Sequence, residues 1–216
     1  RNGFKNVITP NRDGIIKLNK NDFAFIKPAE TSDELDSISL FNIDGKNIIN
    51  LNDNSENYKQ TNSIKKKFKT IDVALLPYCG FGVYPLRYNN LSRKQKIIAA
   101  NNKKQKTREN LLKYIQILKP NYVIPFAGEV LLGGEIAKSF HKFSGLGTKK
   151  DAIKFVKKFY KHFTEILMSP NCIFDLKSKK VSGTFQDTDF SKHKKYINII
   201  SKKVNIYDNG GKFYID

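Results

Sequence analysis

Asn42-Ile-Asp-Gly-Lys-Asn-Ile-Ile-Asn-Leu-Asn-Asp53, followed by Ile71-Asp-Val-Ala-Leu-Leu-Pro-Tyr78, decides the fold. Asp44-Gly45 is the dipeptide of a tight hairpin turn, so Ser37–Phe41, which alternates apolar and polar, and Lys46–Leu51 read as paired strands. Val73-Ala-Leu-Leu76 is a near-continuous apolar run, the pattern of a strand covered on both faces. The strand before it stops on Asn52-Asp53, and a carboxylate there stands at a sheet edge, where the sites of layered α/β proteins collect.

Working outward, Phe23–Ile26 and Tyr122–Phe126 read as further strands, and Gly14–Leu18 contains a short apolar run. Helices are expected from Ser55 to Phe68, from Ser92 to about Leu118, and from a Thr148 cap to about Met168. Leu111, Leu112, Ile115 and Leu118 give the second of these a core-facing stripe. Ile173–Leu176, Val181–Phe185, Val204–Tyr207 and Lys212–Ile215 complete an α/β set, a mixed sheet with flanking helices. At 216 residues, without a repeat or a clear linker, one domain over 1–216 is expected.

Composition narrows the function classes. The net charge is +19 and the pI about 9.8, but of the 39 basic residues 34 are Lys and only 5 are Arg. Specific base and phosphate recognition leans on the guanidinium fork, which Lys lacks. A general bias toward Lys, Asn and Ile accounts for the charge, so nucleic acid stays open as a partner but is not favoured; an anionic small molecule suits the same surface. Cys79 and Cys172 form neither a disulfide framework nor a thiolate zinc site, and suit a reducing cytoplasm. No apolar run is long enough to span a bilayer.

No GxxxxGK[ST], GxGxxG or GxSxG pattern is present. His141, His162 and His193 share no helix face and are expected on the solvent side. Asp53 has two readings from its position alone, a ligand for a divalent metal or half of an Asn-Asp pair bonding its own turn. Glu129, just past the strand ending at Phe126, could serve as a general acid or base or as a helix-start carboxylate. Tyr78, Phe81 and Tyr84 crowd the loop after Val73–Leu76 and could stack on a substrate or fill the core, and Arg87 beside them suits a phosphate or carboxylate.

Taken in order, Asp36-Ser-Ile-Ser-Leu, Gly45-Lys-Asn-Ile-Ile-Asn-Leu-Asn-Asp53, Ile71-Asp-Val-Ala-Leu-Leu-Pro-Tyr-Cys-Gly80 with Tyr84-Pro85, and Leu118-Lys-Pro-Asn-Tyr-Val-Ile-Pro-Phe-Ala-Gly128 resemble the C-terminal half of a metallo-β-lactamase-fold protein. The resemblance covers roughly residues 35–135 and lies nearest the branch containing CMP-N-acetylneuraminate hydroxylase. It implies half or most of an αβ/βα sandwich with a divalent metal (zinc, manganese or iron) at one edge of the sheets. Asp53 matches a metal-binding carboxylate, Glu129 would stand near the metal as the catalytic residue, and Tyr78, Tyr84 and Arg87 would shape the substrate loop. The implied activity is that of a hydrolase or hydroxylase acting on a phosphorylated or anionic sugar-type substrate, in surface-glycan or sugar-nucleotide metabolism.

Two departures weigh against a complete site. The His-x-His-x-Asp-His signature is absent, as though the chain began after it, and Ala127-Gly128-Glu129 stands where hydrolytic members carry a late histidine. A missing N-terminal half or a partner chain is therefore expected to complete the metal centre. The other reading is a non-catalytic binding module that holds an anionic glycan, nucleic acid or protein on a Lys-rich face. Half a sandwich also leaves one sheet face apolar, to be covered by such a partner or by residues 1–35 and 136–216.

Overall fold

The structure, a computed structural model, describes residues 8, 10, 14–28, 36–54, 56–80, 82, 84–128 and 143–200. Seven strands form one mixed sheet: β1 (Ile15–Lys17), β2 (Phe23–Pro28), β3 (Ser37–Ile43), β4 (Lys46–Asn50), β5 (Val73–Pro77), β6 (Tyr122–Phe126) and β7 (Thr164–Glu165), in that order across the sheet. The first four are antiparallel, while β4 through β7 run parallel. The helices are α1 (Tyr58–Phe68), α2 (Arg93–Leu118), α3 (Lys149–Lys157) and α4 (Phe190–Ile200), and β8 (Ile173–Asp175) pairs with β9 (Lys180–Ser182) as a separate hairpin.

Local chemistry sets several boundaries. Asp44 and Gly45 both take positive φ, as a two-residue hairpin turn between β3 and β4 requires. Ser92 opens α2 with a capping box: its hydroxyl accepts from the Gln95 backbone, and the Gln95 side chain accepts from the Ser92 N–H. Thr148 caps α3 by accepting from Asp151 N. This last helix stops at Lys157 rather than near Met168, because the chain must drop back to pair β7 with Tyr122 and Val123.

Side chains alternate across a sheet, so the register sorts them into two faces. One row runs Ile15, Phe25, Leu40, Ile49, Ala74, Val123. It packs on Ile64 of α1, Leu111, Ile115 and Leu118 of α2, and Ile153 and Val156 of α3, which together form the main core. Packing against this one row places these helices on the same side of the sheet.

The adjacent row faces the other way: Ile16, Ala24, Phe41, Ile48, Val73, Tyr122, Thr164. None of these joins the cluster beneath the helices; the small Ala24 and Val73 are buried among their neighbours, whereas Phe41 is 37% exposed. Residues 14–28, part of a segment expected to cover this face, instead extend the sheet as β1 and β2. From the C-terminal segment, Phe174 of β8 packs its ring 5.1 Å from that of Tyr122. Glu129 and the expected strands at 204–207 and 212–215 lie outside the described residues. No helix among the described residues is long and apolar enough to cross a membrane.

Candidate functional site

Strands β4, β5 and β6 deliver their carboxyl ends to one edge of the sheet, the edge at which open parallel sheets bind ligands. At the end of β4 the chain turns tightly. Asn52 takes φ 49° and bonds its N–H to Asn50 Oδ1 (2.9 Å) and its amide group to Ser37 O (2.8 Å). The Asp36 carboxylate accepts from Asn52 Nδ2 and from the Asp53 backbone, each at 3.3 Å. Asn54 is fully buried and donates through Nδ2 to Leu51 O (2.8 Å) and Ser37 O (3.2 Å). The turn is thus held by its asparagines and Asp36, while the Asp53 carboxylate is left facing solvent, free of hydrogen bonds and ion pairs among the described residues.

Asp53 borders a small cavity of about 40 Å³ with Asn54, Cys79, Thr107 and Asn110. Asn54 Oδ1 is buried without a hydrogen-bond partner among the described residues. A metal ion needs three or four converging donors, and among the described residues no three His, Cys, Asp or Glu side chains converge. Asp53 and its neighbours therefore do not by themselves fit a metal centre.

A larger cavity, about 780 Å³, opens at the ends of β5 and β6. Its strand-side wall is Tyr78, Phe126, Ala127 and Gly128. Tyr78 N–H donates to Phe126 O (3.3 Å), and the Tyr78 ring lies so close over Gly128 that a Cβ there would run into it. Only glycine fits beneath it. Ala127 holds φ 44°, an uncommon conformation for a residue with a side chain and one that collects at functional edges.

The opposite wall comes from far along the chain. Lys149 begins α3 and donates to Met168 O (2.6 Å). Ser169 and Gln186 exchange two hydrogen bonds of 2.9 Å, which fixes the segment carrying Asp187. Asp187 Oδ1 is buried and has no hydrogen-bond partner among the described residues. Asp189 caps α4: its Oδ1 accepts from Ser191 Oγ (2.6 Å), Ser191 N (2.9 Å) and Lys192 N (3.3 Å). The Ser191 hydroxyl, then its backbone N–H, hold the Asp189 carboxyl below the usual aspartate range. Lys192 and His193 on that first turn line the cavity. His193, expected on the solvent side, is half-buried in this wall.

The predicted substrate residues separate. Tyr78 is buried in the large cavity. Tyr84 is 45% exposed, meets Tyr88 edge-on at 4.9 Å and borders a different groove, beside Ile98, Lys103 and Lys106 of α2. Arg87 is exposed. Lys103 ties this loop down by donating to Gly82 O and Tyr84 O, each at 3.2 Å. Burial holds its ammonium below the ordinary lysine value, with Cys79 acting in the opposite sense.

No protein-family model matches the sequence, and no curated protein does. Solved structures do align. A mutant of the CmlA β-hydroxylase aligns with TM-score 0.46 and 11% identity, over 76% of this chain and 33% of that one. CmlA itself, a diiron β-hydroxylase from Streptomyces venezuelae, gives 0.42 and 11%, over 76% and 34%. A metallo hydrolase from the hyperthermophilic archaeon Ignicoccus hospitalis gives 0.42 and 14%, over 83% and 61%. The chain thus spans about a third of CmlA and about three-fifths of the archaeal protein.

Proposed function

We propose that the cavity at the ends of β5 and β6 binds an anionic, hydroxyl-bearing small molecule of the phosphorylated or acidic sugar class. The observation that carries this is the pairing of unlike groups in one wall. Asp187 presents a buried acceptor with no donor among the described residues, while Lys149, Lys192 and His193 supply cations and donors beside it. A buried, unmatched acceptor costs about 1–3 kcal/mol, which a ligand hydroxyl relieves. The cations favour a phosphate or carboxylate on the same ligand. The volume lies within the range of small-molecule sites, and the buried Tyr78 forms part of the wall.

The reading extends to catalysis as a metal-dependent enzyme of the metallo-β-lactamase type, a hydrolase or hydroxylase, in which Asp53 donates one ligand and the remaining ligands come from outside the described residues. Glu129 is the first acid past β6 in the sequence, while Tyr84 and Arg87 stand exposed on the loop after β5, Tyr84 against the groove along α2 rather than on this cavity. A second reading keeps the ligand site without the metal, as a binding module; the lack of three converging donors among the described residues favours it.

Titration calorimetry with a hexose phosphate, the neutral hexose and inorganic phosphate tests the ligand class. The hexose phosphate should bind most tightly. Lys192→Ala should weaken it at least tenfold, and Asp187→Ala should erase its advantage over phosphate alone. Equal binding of phosphate and hexose phosphate to the unmodified chain would refute the sugar assignment. Metal content by mass spectrometry, beside Asp53→Ala, separates the two readings: stoichiometric metal lost in the variant supports the enzyme, and no metal in either leaves the module.

A further inference from the structure

The opposite margin of the sheet carries another cavity, of about 790 Å³, which takes no part in the site described above. It lies at the amino ends of the parallel strands: Lys46 begins β4, Asp72 precedes β5, Tyr122 begins β6 and Thr164 begins β7. Backbone bonds tie these starts together. Asp72 N–H donates to Asn47 O, Tyr122 N–H to Asp72 O and Thr164 N–H to Asn121 O, each at 2.9 Å. The turn before β7 brings in Lys161 and His162, and the tip of the β8–β9 hairpin brings in Lys177 and Lys179.

Four lysines from three separate segments thus line one cavity with a single carboxylate, that of Asp72. That carboxylate is already committed. One oxygen stands 3.5 Å from Lys46 Nζ, and the other accepts from Asn47 N at 3.0 Å. Lys161 and Lys179 form no ion pair among the described residues. Lys177 stands near Asp175 of its own turn, but the N–H groups of Lys177 and Ser178 already engage that carboxylate, at 2.8 and 3.0 Å. The side chains of Asn121 and Thr164 make no hydrogen bond among the described residues, so they add neutral donors to the same wall. A concavity lined by one sign of charge focuses its field and draws in the opposite ion.

We propose that this cavity binds a compact anion bearing a diphosphate or longer phosphate chain, inorganic or carried by a small organic molecule. Lysine binds phosphate as a point charge, without the bidentate fork of arginine. A phosphate chain meets more of these dispersed lysines at once than one phosphate does. The volume is that of a small-molecule site rather than of an open polymer track. Tyr122, whose ring lies 5.1 Å from that of Phe174, and the buried Phe163 give the wall an apolar area for an organic portion.

Titration calorimetry of the full chain with inorganic pyrophosphate, inorganic phosphate and adenosine diphosphate tests this. Pyrophosphate should bind about tenfold tighter than phosphate. Lys161→Gln and Lys179→Gln remove charge at exposed positions, and each should weaken pyrophosphate about fivefold while circular dichroism shows the fold retained. Lys66→Gln, on an exposed turn of α1 outside the cavity, should leave the affinity unchanged. Tighter binding of adenosine diphosphate than of pyrophosphate would identify the organic form, and equal or weaker binding the inorganic one. No pyrophosphate binding, or an equal loss in Lys66→Gln, would overturn the inference. So would a loss in Lys192→Ala without one in Lys161→Gln, since the ligand would then occupy the cavity at the ends of β5 and β6. A single-stranded oligonucleotide of about ten nucleotides that binds more tightly, and weakens at the same lysines, would overturn the compact ligand in favour of a polymer.

Discussion

Replacing Gly128 by alanine probes the wall of the large cavity with a single methyl group. The added Cβ would meet Tyr78 Cε1, Cζ and the hydroxyl closer than 3.0 Å, a separation that real Cβ atoms essentially never show. Two responses are open. The Tyr78 ring, 3% exposed, can swing out, which uncovers about 150 Å² and costs roughly 4 kcal/mol at about 25 cal/mol per Å². Alternatively the strand ends can part slightly, the usual overpacking response, at about 1–3 kcal/mol. The chain takes the less costly path, so a loss of about 2 kcal/mol is expected. At roughly 2–4 °C per kcal/mol for a chain of this size, the thermal midpoint should fall by about 4–8 °C. Urea and thermal melts followed by circular dichroism measure it. The decisive comparison repeats the substitution in a Tyr78→Ala background, where the ring is gone and the methyl group should cost less than about 0.5 kcal/mol. An equal loss in both backgrounds, or none in the first, would refute the claim that the ring rests on Gly128.

Asn54→Ala removes the two hydrogen bonds from Nδ2 that join the β4 turn to β3 and to its own strand end, and should destabilise by about 1–3 kcal/mol in urea melts. A carboxylate at that fully buried position should cost more, so Asn54→Asp should melt below Asn54→Ala at neutral pH. The Asp189 carboxyl is held below its ordinary range by Ser191, so the cap on α4 is complete above the unfolded aspartate pKa and is lost as pH falls through the lower folded value. The Ser191 amide resonance should report that midpoint, and Ser191→Ala should raise it toward the ordinary aspartate value. Ser92→Ala breaks the hydroxyl half of the α2 capping box and should cost about 1 kcal/mol in thermal melts, with no change in ligand affinity.

What the sequence discloses is what is specified locally. The Asp44-Gly45 turn, the helix start at Ser92, the Thr148 cap and the apolar runs of β5 and β6 each carry their own chemistry within a few residues, and each forms where expected. The overrun of the third helix has the opposite origin. Neither glycine nor proline directly follows Lys157, and the helix ends there because β7 must pair with β6, a strand far back in the chain. The same division applies to the site. Asp53 and Tyr78 are visible in the sequence because each follows a recognisable strand. Lys149, Asp187 and His193 come from helix starts and a turn, and only the packing of the segment after β7 against the strand ends brings them to Tyr78. Histidine spacing along the chain cannot reveal His193, whose partners in the cavity include residues far from it in sequence.

The lengths of the outermost strands also bear on how this molecule behaves at high concentration. Among the described residues the sheet begins with β1, three residues long, and ends with β7, two residues long. Unpaired backbone at a sheet margin templates runaway fibril growth only when it offers a long, flat ladder. Margins this short offer a newcomer too few rungs to hold. Open-ended stacking of strands from these margins is thereby disfavoured.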